Sequence, residues 1–172
     1  RVYGIGGKPA YTGRDRLYSL ARDFAGNFNK LKAEIKDAIL DFINDNRFKE
    51  KLSSSDIYHD GGLDLKYLLW KYENHLRSDE QPTAAEMSDE EFLTRNPRFK
   101  LTVEHIASQT PRVSTPNLTL PRIDDKFQEK YLHRLGNLTF DPNSANASKG
   151  NQDIEIKNSK YFVKAPFKIQ NE

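Results

Sequence analysis

The chain has 172 residues, 36% of them hydrophobic and 30% charged, and 27 Lys plus Arg against 25 Asp plus Glu leave a net charge of +2. No apolar run approaches the roughly 20 residues of a membrane-spanning helix, and no signal-peptide pattern opens the sequence. The absence of cysteine excludes disulfides, thiolate zinc sites and cysteine nucleophiles, and it points to a cytoplasmic protein. The near balance of charge permits nucleic-acid binding without indicating it, because such binding depends on where Lys and Arg cluster. The sequence opens on Arg1 rather than Met, which leads us to expect a piece of a longer protein.

The first half reads as helical. A segment from about Arg14 to Phe24 is followed by Phe28–Ile43, where apolar residues at 28, 31, 35, 39, 42 and 43 form one stripe at helical spacing. Gly61-Gly62 breaks the chain, and Asp64 stands where it can cap a helix whose Leu65, Leu68, Leu69, Tyr72 and Leu76 share a face. Trp70 and Tyr72 are expected in packing rather than in base stacking. Residues 78–91 form an acidic connection, in which Ser88 and Glu91 have the spacing of a capping box.

The second half changes character. Alternating Leu101, Val103 and the apolar Ile106 predict a strand, followed by a loop with Pro111, Pro116 and Pro121. A short helix is expected over Asp125–Arg134, with Gly136 at the position of a helix C-terminal glycine. Asn137–Phe140 reads as a short strand and residues 141–150 as turn formers. A final helix is expected near Gln152–Tyr161.

The predicted strand carries a carboxylate beside an imidazole, Glu104 and His105, which a core strand does not need. A hydrolytic site can use both. Together with Leu135-Gly-Asn-Leu-Thr-Phe140, Asn146, Asn151 and Lys157, the Glu104-His105-Ile106 stretch resembles the His-Asn-His nuclease domain of GmrSD-type restriction proteins. Tyr67-Leu-Leu-Trp-Lys-Tyr-Glu73 is similar to the helix preceding that nuclease core. The motif-bearing part spans about 101 to 162, with weaker similarity back to about 63. One departure is Ser108, which stands where the family has Pro.

The resemblance implies an α+β fold: a helical lobe over residues 1–95 packed on a ββα-metal finger over 96–172. It implies a metal-dependent DNA endonuclease that nicks or cleaves, the effector end of a bacterial anti-phage restriction protein whose nucleotide-hydrolysing sensor domain lies N-terminal to it. His105 would be the general base, because a neutral imidazole best takes a proton from water near pH 7. Glu104 and Asn146 would bind a hard divalent cation, Mg²⁺ foremost and Mn²⁺ second, through oxygen atoms. Asn137 would hold the loop that orients His105. Lys149, Asn151, Lys157 and Lys160, with Lys164 and Lys168 beyond them, would meet phosphate, and Lys157 would alternatively hold the finger together.

Other readings stay open at this point. Strand neighbours point to opposite faces, so Glu104 and His105 share a site only if the strand bulges or ends there. Asn143 or Asn146 equally well caps the last helix, and Asn137 equally well continues a Gly-Asn turn. His59, as an exposed loop residue, His75 and His133 are left outside the site. A binding module that keeps the finger as scaffold, or an RNA-cleaving effector, would show the same motifs. If the finger forms, His105 should face a polar cleft, with Asn146 or Glu104 near it, Ser108 on the outer loop, and Leu101, Val103, Leu135, Leu138, Phe140 and Ile154 beneath as an apolar base.

Overall fold

The computed structural model describes residues 4–80, 85–110 and 125–171 of an α+β chain. It forms two compact units, Arg1–Ser54 and Ser55–Glu172, so the expected boundary near residue 95 falls inside the second unit. The Pro111–Pro121 loop lies outside the described residues, as does part of the acidic connection. No helix among the described residues is long and apolar enough to cross a membrane.

The first unit contains α1 (Arg14–Arg22), α2 (Phe28–Phe42) and α3 (Asp45–Leu52). Asn27 and Asn44 begin the last two of these, each side-chain oxygen accepting a backbone N–H of the first turn. The helix α3 is an addition to the sequence reading: its eight residues bury none of their side chains, and its apolar face is the single pair Phe48 and Leu52. Arg16 of α1 pairs with Asp41 of α2. Gly13, at φ 75°, lets α1 start against the Phe42 ring, where an added Cβ would stand 2.3 Å from Cε2.

The second unit opens with α4 (Ile57–Glu80), which is kinked rather than ended at Gly62. The φ of 47° and ψ of −127° there are open to glycine and costly for other residues. Beyond the kink, Leu65, Leu69, Trp70 and Glu73 are buried, whereas Tyr72, expected in the stripe, is exposed. The Trp70 indole N–H donates to the Met87 carbonyl at 3.1 Å. The short α5 (Asp89–Leu93) begins with the expected capping box between Ser88 and Glu91.

Strand β1 (Leu101–His105) pairs antiparallel with β2 (Leu138–Pro142), in a register that sets His105 opposite Leu138 and Leu101 opposite Pro142. Between them, α6 (Asp125–Lys130) is shorter than expected, and Gly136 sits within a 3₁₀ turn, Leu135–Asn137, rather than in a left-handed helix end. Residues 141–150 are not simply turns: after β2 comes α7 (Asn143–Lys149), then α8 (Ile154–Lys160). Asn and Ser are weak helix formers. Here α7 is held by its packing on both strands, through Asn146 and Lys149. Beneath the sheet, Phe140 is fully buried, with its ring 4.6 Å from that of Phe167. Burying such a side chain contributes about 1.5–3 kcal/mol.

Candidate active site

Alternation along the two strands decides which residues can meet. Thr102 and Glu104 of β1 share a face with Thr139 and Asp141 of β2, and α7 and α8 cover it. Lys157 of α8 donates to Glu104 Oε1 at 2.5 Å and to the His105 carbonyl at 2.7 Å. Lys149 of α7 sits 2.5 Å from Asp141 Oδ2 and over the Phe162 ring. Both ammonium groups are sealed, with side chains 1% and 2% exposed, so the expectation that Lys149 and Lys157 meet phosphate is corrected. They neutralise carboxylates inside the fold. Burial pushes the Glu104 carboxyl up, while Lys157 pulls it the other way.

His105 points to the opposite face. Its ring lies 4.4 Å from Tyr58, edge-on, and 5.3 Å from His133. Nε2 stands 3.2 Å from His133 Nδ1, and the Gln109 side-chain amide stands 3.0 Å from Nδ1. Burial is the main cause that lowers the imidazole pKa to about 4, and His133, Lys157 and His59 add to it. The ring is therefore neutral at pH 7, and its lowered pKa makes it a weaker base than a free imidazole.

Asn137 holds the loop after β1 in place. Its side-chain oxygen accepts the Ala107 N–H at 2.8 Å, and its amide donates to Leu132 at 2.8 Å and to Ala107 at 3.2 Å. Its own carbonyl accepts the Ile106 N–H at 2.9 Å. This residue thus grips the segment leaving His105 from both sides without touching the imidazole. Ser108 is 2% exposed and donates to the Gln152 carbonyl at 2.6 Å, so it is not on the outer loop; that bond satisfies the buried hydroxyl.

Asn146 lies on α7, not on the final helix, and its amide donates to Thr102 Oγ1 at 2.9 Å and to the Val103 carbonyl at 3.2 Å. A Mg²⁺ ion needs several oxygen ligands and keeps water around it. Glu104 is closed off by Lys157 on the face away from the His105 ring. Glu104 and Asn146 therefore do not fit a cation beside His105 in this arrangement. Asn151 and Lys160 are exposed.

The ring of His105 instead borders residues that the sequence reading left aside. His59 lies on α4 rather than in a loop, and its Nδ1 is 2.5 Å from Asp56 Oδ1. Its ring is 4.6 Å from that of His133. The Tyr58 ring stacks on His133 at 5.5 Å, and the Tyr58 N–H donates to the His133 carbonyl at 3.2 Å. The i, i+3 spacing of Asp56 and His59 is visible in the sequence. Their approach to His133, more than seventy positions away, depends on the docking of α4 on the sheet and has no local signal.

Residues 42–172, more than half of the chain, match the family described as GmrSD restriction endonucleases, C-terminal domain. No curated protein and no solved structure matches the chain. The match takes in every element from α3 onward, including both strands, the His105 loop and the Asn137 clamp. The chain belongs to this family of restriction endonuclease C-terminal domains.

Proposed function

We propose that this domain hydrolyses DNA phosphodiester bonds as a His-Asn-His-type nuclease, with His105 as general base. A restriction endonuclease domain implies DNA as substrate and use of a divalent metal. The observation that carries the assignment of His105 is its place at the end of β1, inside the region that matches the restriction endonuclease family, with its ring braced at Nδ1 by Gln109. With the Gln109 amide turned so that its oxygen accepts from Nδ1–H, Nε2 keeps its lone pair; the two ends of such an amide are alike in shape. Nε2, which stands 3.2 Å from His133 Nδ1, is then the nitrogen that takes a proton from water once water displaces that contact. Asn137 acts as a positioning residue, fixing the backbone from Ile106 to Ala107 behind the ring.

The exposed Asn151, Lys160 and Lys164 supply salt-dependent phosphate contacts on this reading. Metal dependence with Mg²⁺ or Mn²⁺, nicking or cleaving of the DNA, a role in defence against phage or modified DNA, and a sensor domain upstream in the same chain complete the proposal. Relaxation of supercoiled plasmid, with and without divalent cation, tests it. His105→Ala should lower the rate by roughly 10²–10⁴-fold, the usual worth of a general base, while the far-UV spectrum stays unchanged. A variant as fast as wild type would overturn the assignment. Single-stranded RNA cut faster than plasmid would overturn DNA as the substrate.

A further inference from the structure

Asp56, His59 and His133 each offer a ligand atom, and these atoms lie within 4.8 Å of one another on the side of the sheet that carries His105. Around a tetrahedral ion bound at 2.0–2.1 Å, ligand atoms stand about 3.3 Å apart. The cluster is therefore within side-chain rotation of closing on an ion. The Asp56 and His59 side chains are half exposed, at 50% and 59%, and their 2.5 Å contact must open for an ion to take both atoms. His133 is less free, because its backbone is tied to Tyr58 and its ring is stacked on that of Tyr58. One fixed imidazole and two adjustable donors suit capture of an ion from solvent.

We propose that Asp56, His59 and His133 bind a borderline transition-metal ion, Zn²⁺ foremost, one imidazole away from His105. Two imidazoles and one carboxylate match such an ion, whereas a hard cation such as Mg²⁺ prefers an all-oxygen set. Three protein ligands leave a fourth position open, which water or a phosphate oxygen can fill. Zn²⁺ binding at this cluster is measured without substrate and does not depend on DNA cleavage.

The test uses the whole, untagged chain after chelator treatment, titrated with ZnCl₂ by calorimetry. One Zn²⁺ per chain is expected, with Asp56→Asn and His59→Ala each weakening it by at least roughly tenfold, the scale on which even the outer partners of a metal site act. Asn146→Ala should leave the affinity unchanged. Long-range ¹H–¹⁵N spectra of the wild-type imidazoles give a second readout that needs no variant. His59 and His133 should shift on Zn²⁺ addition while the exposed His75, further along α4, stays fixed. Failure to bind, unchanged affinity in both cluster variants, or equal shifts of His75 would each overturn the site.

Discussion

The two faces of the β1–β2 pair are cut from alternating residues of the same strands, yet they meet opposite surroundings. On the face toward α7 and α8, Glu104 and Asp141 are buried and each is neutralised by a buried lysine. On the other, His105 meets a tyrosine, a glutamine and a second histidine, and the cluster opens to solvent through Asp56 and His59. An enclosed ion pair holds structure together and is shut off from a ligand in solvent. Polar rings bordering half-exposed donors stay open to one. Adjacency in sequence thus separated Glu104 from His105 rather than joining them, because a strand without a bulge turns neighbours to opposite sides.

This division can be broken most severely at Lys157. Lys157→Met leaves the Glu104 carboxylate buried without its partner, and removing one half of a buried pair costs about 3–5 kcal/mol. Urea denaturation should show the loss, and the double variant with Glu104→Gln should recover most of it. An unchanged midpoint in the single variant would mean that Glu104 is not committed to this pair.

Asn137→Ala removes three side-chain hydrogen bonds whose net worth is about 0.5–1.5 kcal/mol each, so a smaller loss is expected. Because those bonds brace the loop leaving His105, cleavage should slow by more than the unfolded fraction explains. A rate that merely follows the folded population would make Asn137 a stability residue alone.

The smallest effect sharpens the imidazole face. His105 titrates near 4 in the folded, metal-free chain, against about 6.5 when unfolded. Between these values the unfolded state binds more protons, so this contribution to stability is complete above the unfolded value and is lost as pH falls toward 4. Melting temperature measured in chelator should therefore drop from pH 7.5 to pH 5. His105→Asn should flatten that dependence; an equally steep profile would place the titration elsewhere.

Much of this arrangement was legible from residues alone, where local chemistry decides the outcome. The capping box at Ser88, the apolar run of α2 and the alternation of β1 each carry their own signal. The motif around His105 and Asn137 led to the family that residues 42–172 match. What escaped depends on partners distant in sequence. The helix α7 is written in Asn, Ser and Ala and exists through its grip on Thr102 and Asp141. The burial of Lys149, Lys157 and Ser108 runs against their usual preference for solvent. Each acquires its partner only when the second unit closes. His59 and His133, read singly, had no reason to be placed beside His105.

Glu73 ties the end of the described chain to the middle of α4. Its fully buried carboxylate accepts the backbone N–H groups of Lys168 and Ile169, at 3.1 and 2.9 Å, and the Arg77 guanidinium at 2.7 Å. The next residue, Gln170, donates to the Phe140 carbonyl at 3.0 Å, which carries the same tie into β2. A protease that clipped the chain after Ala165 would remove all the main-chain partners of that carboxylate together with Phe167, the ring packed on Phe140. The segment is small in length but acts as a latch, so trimming it would loosen the strand opposite His105 without touching a single residue of the candidate site.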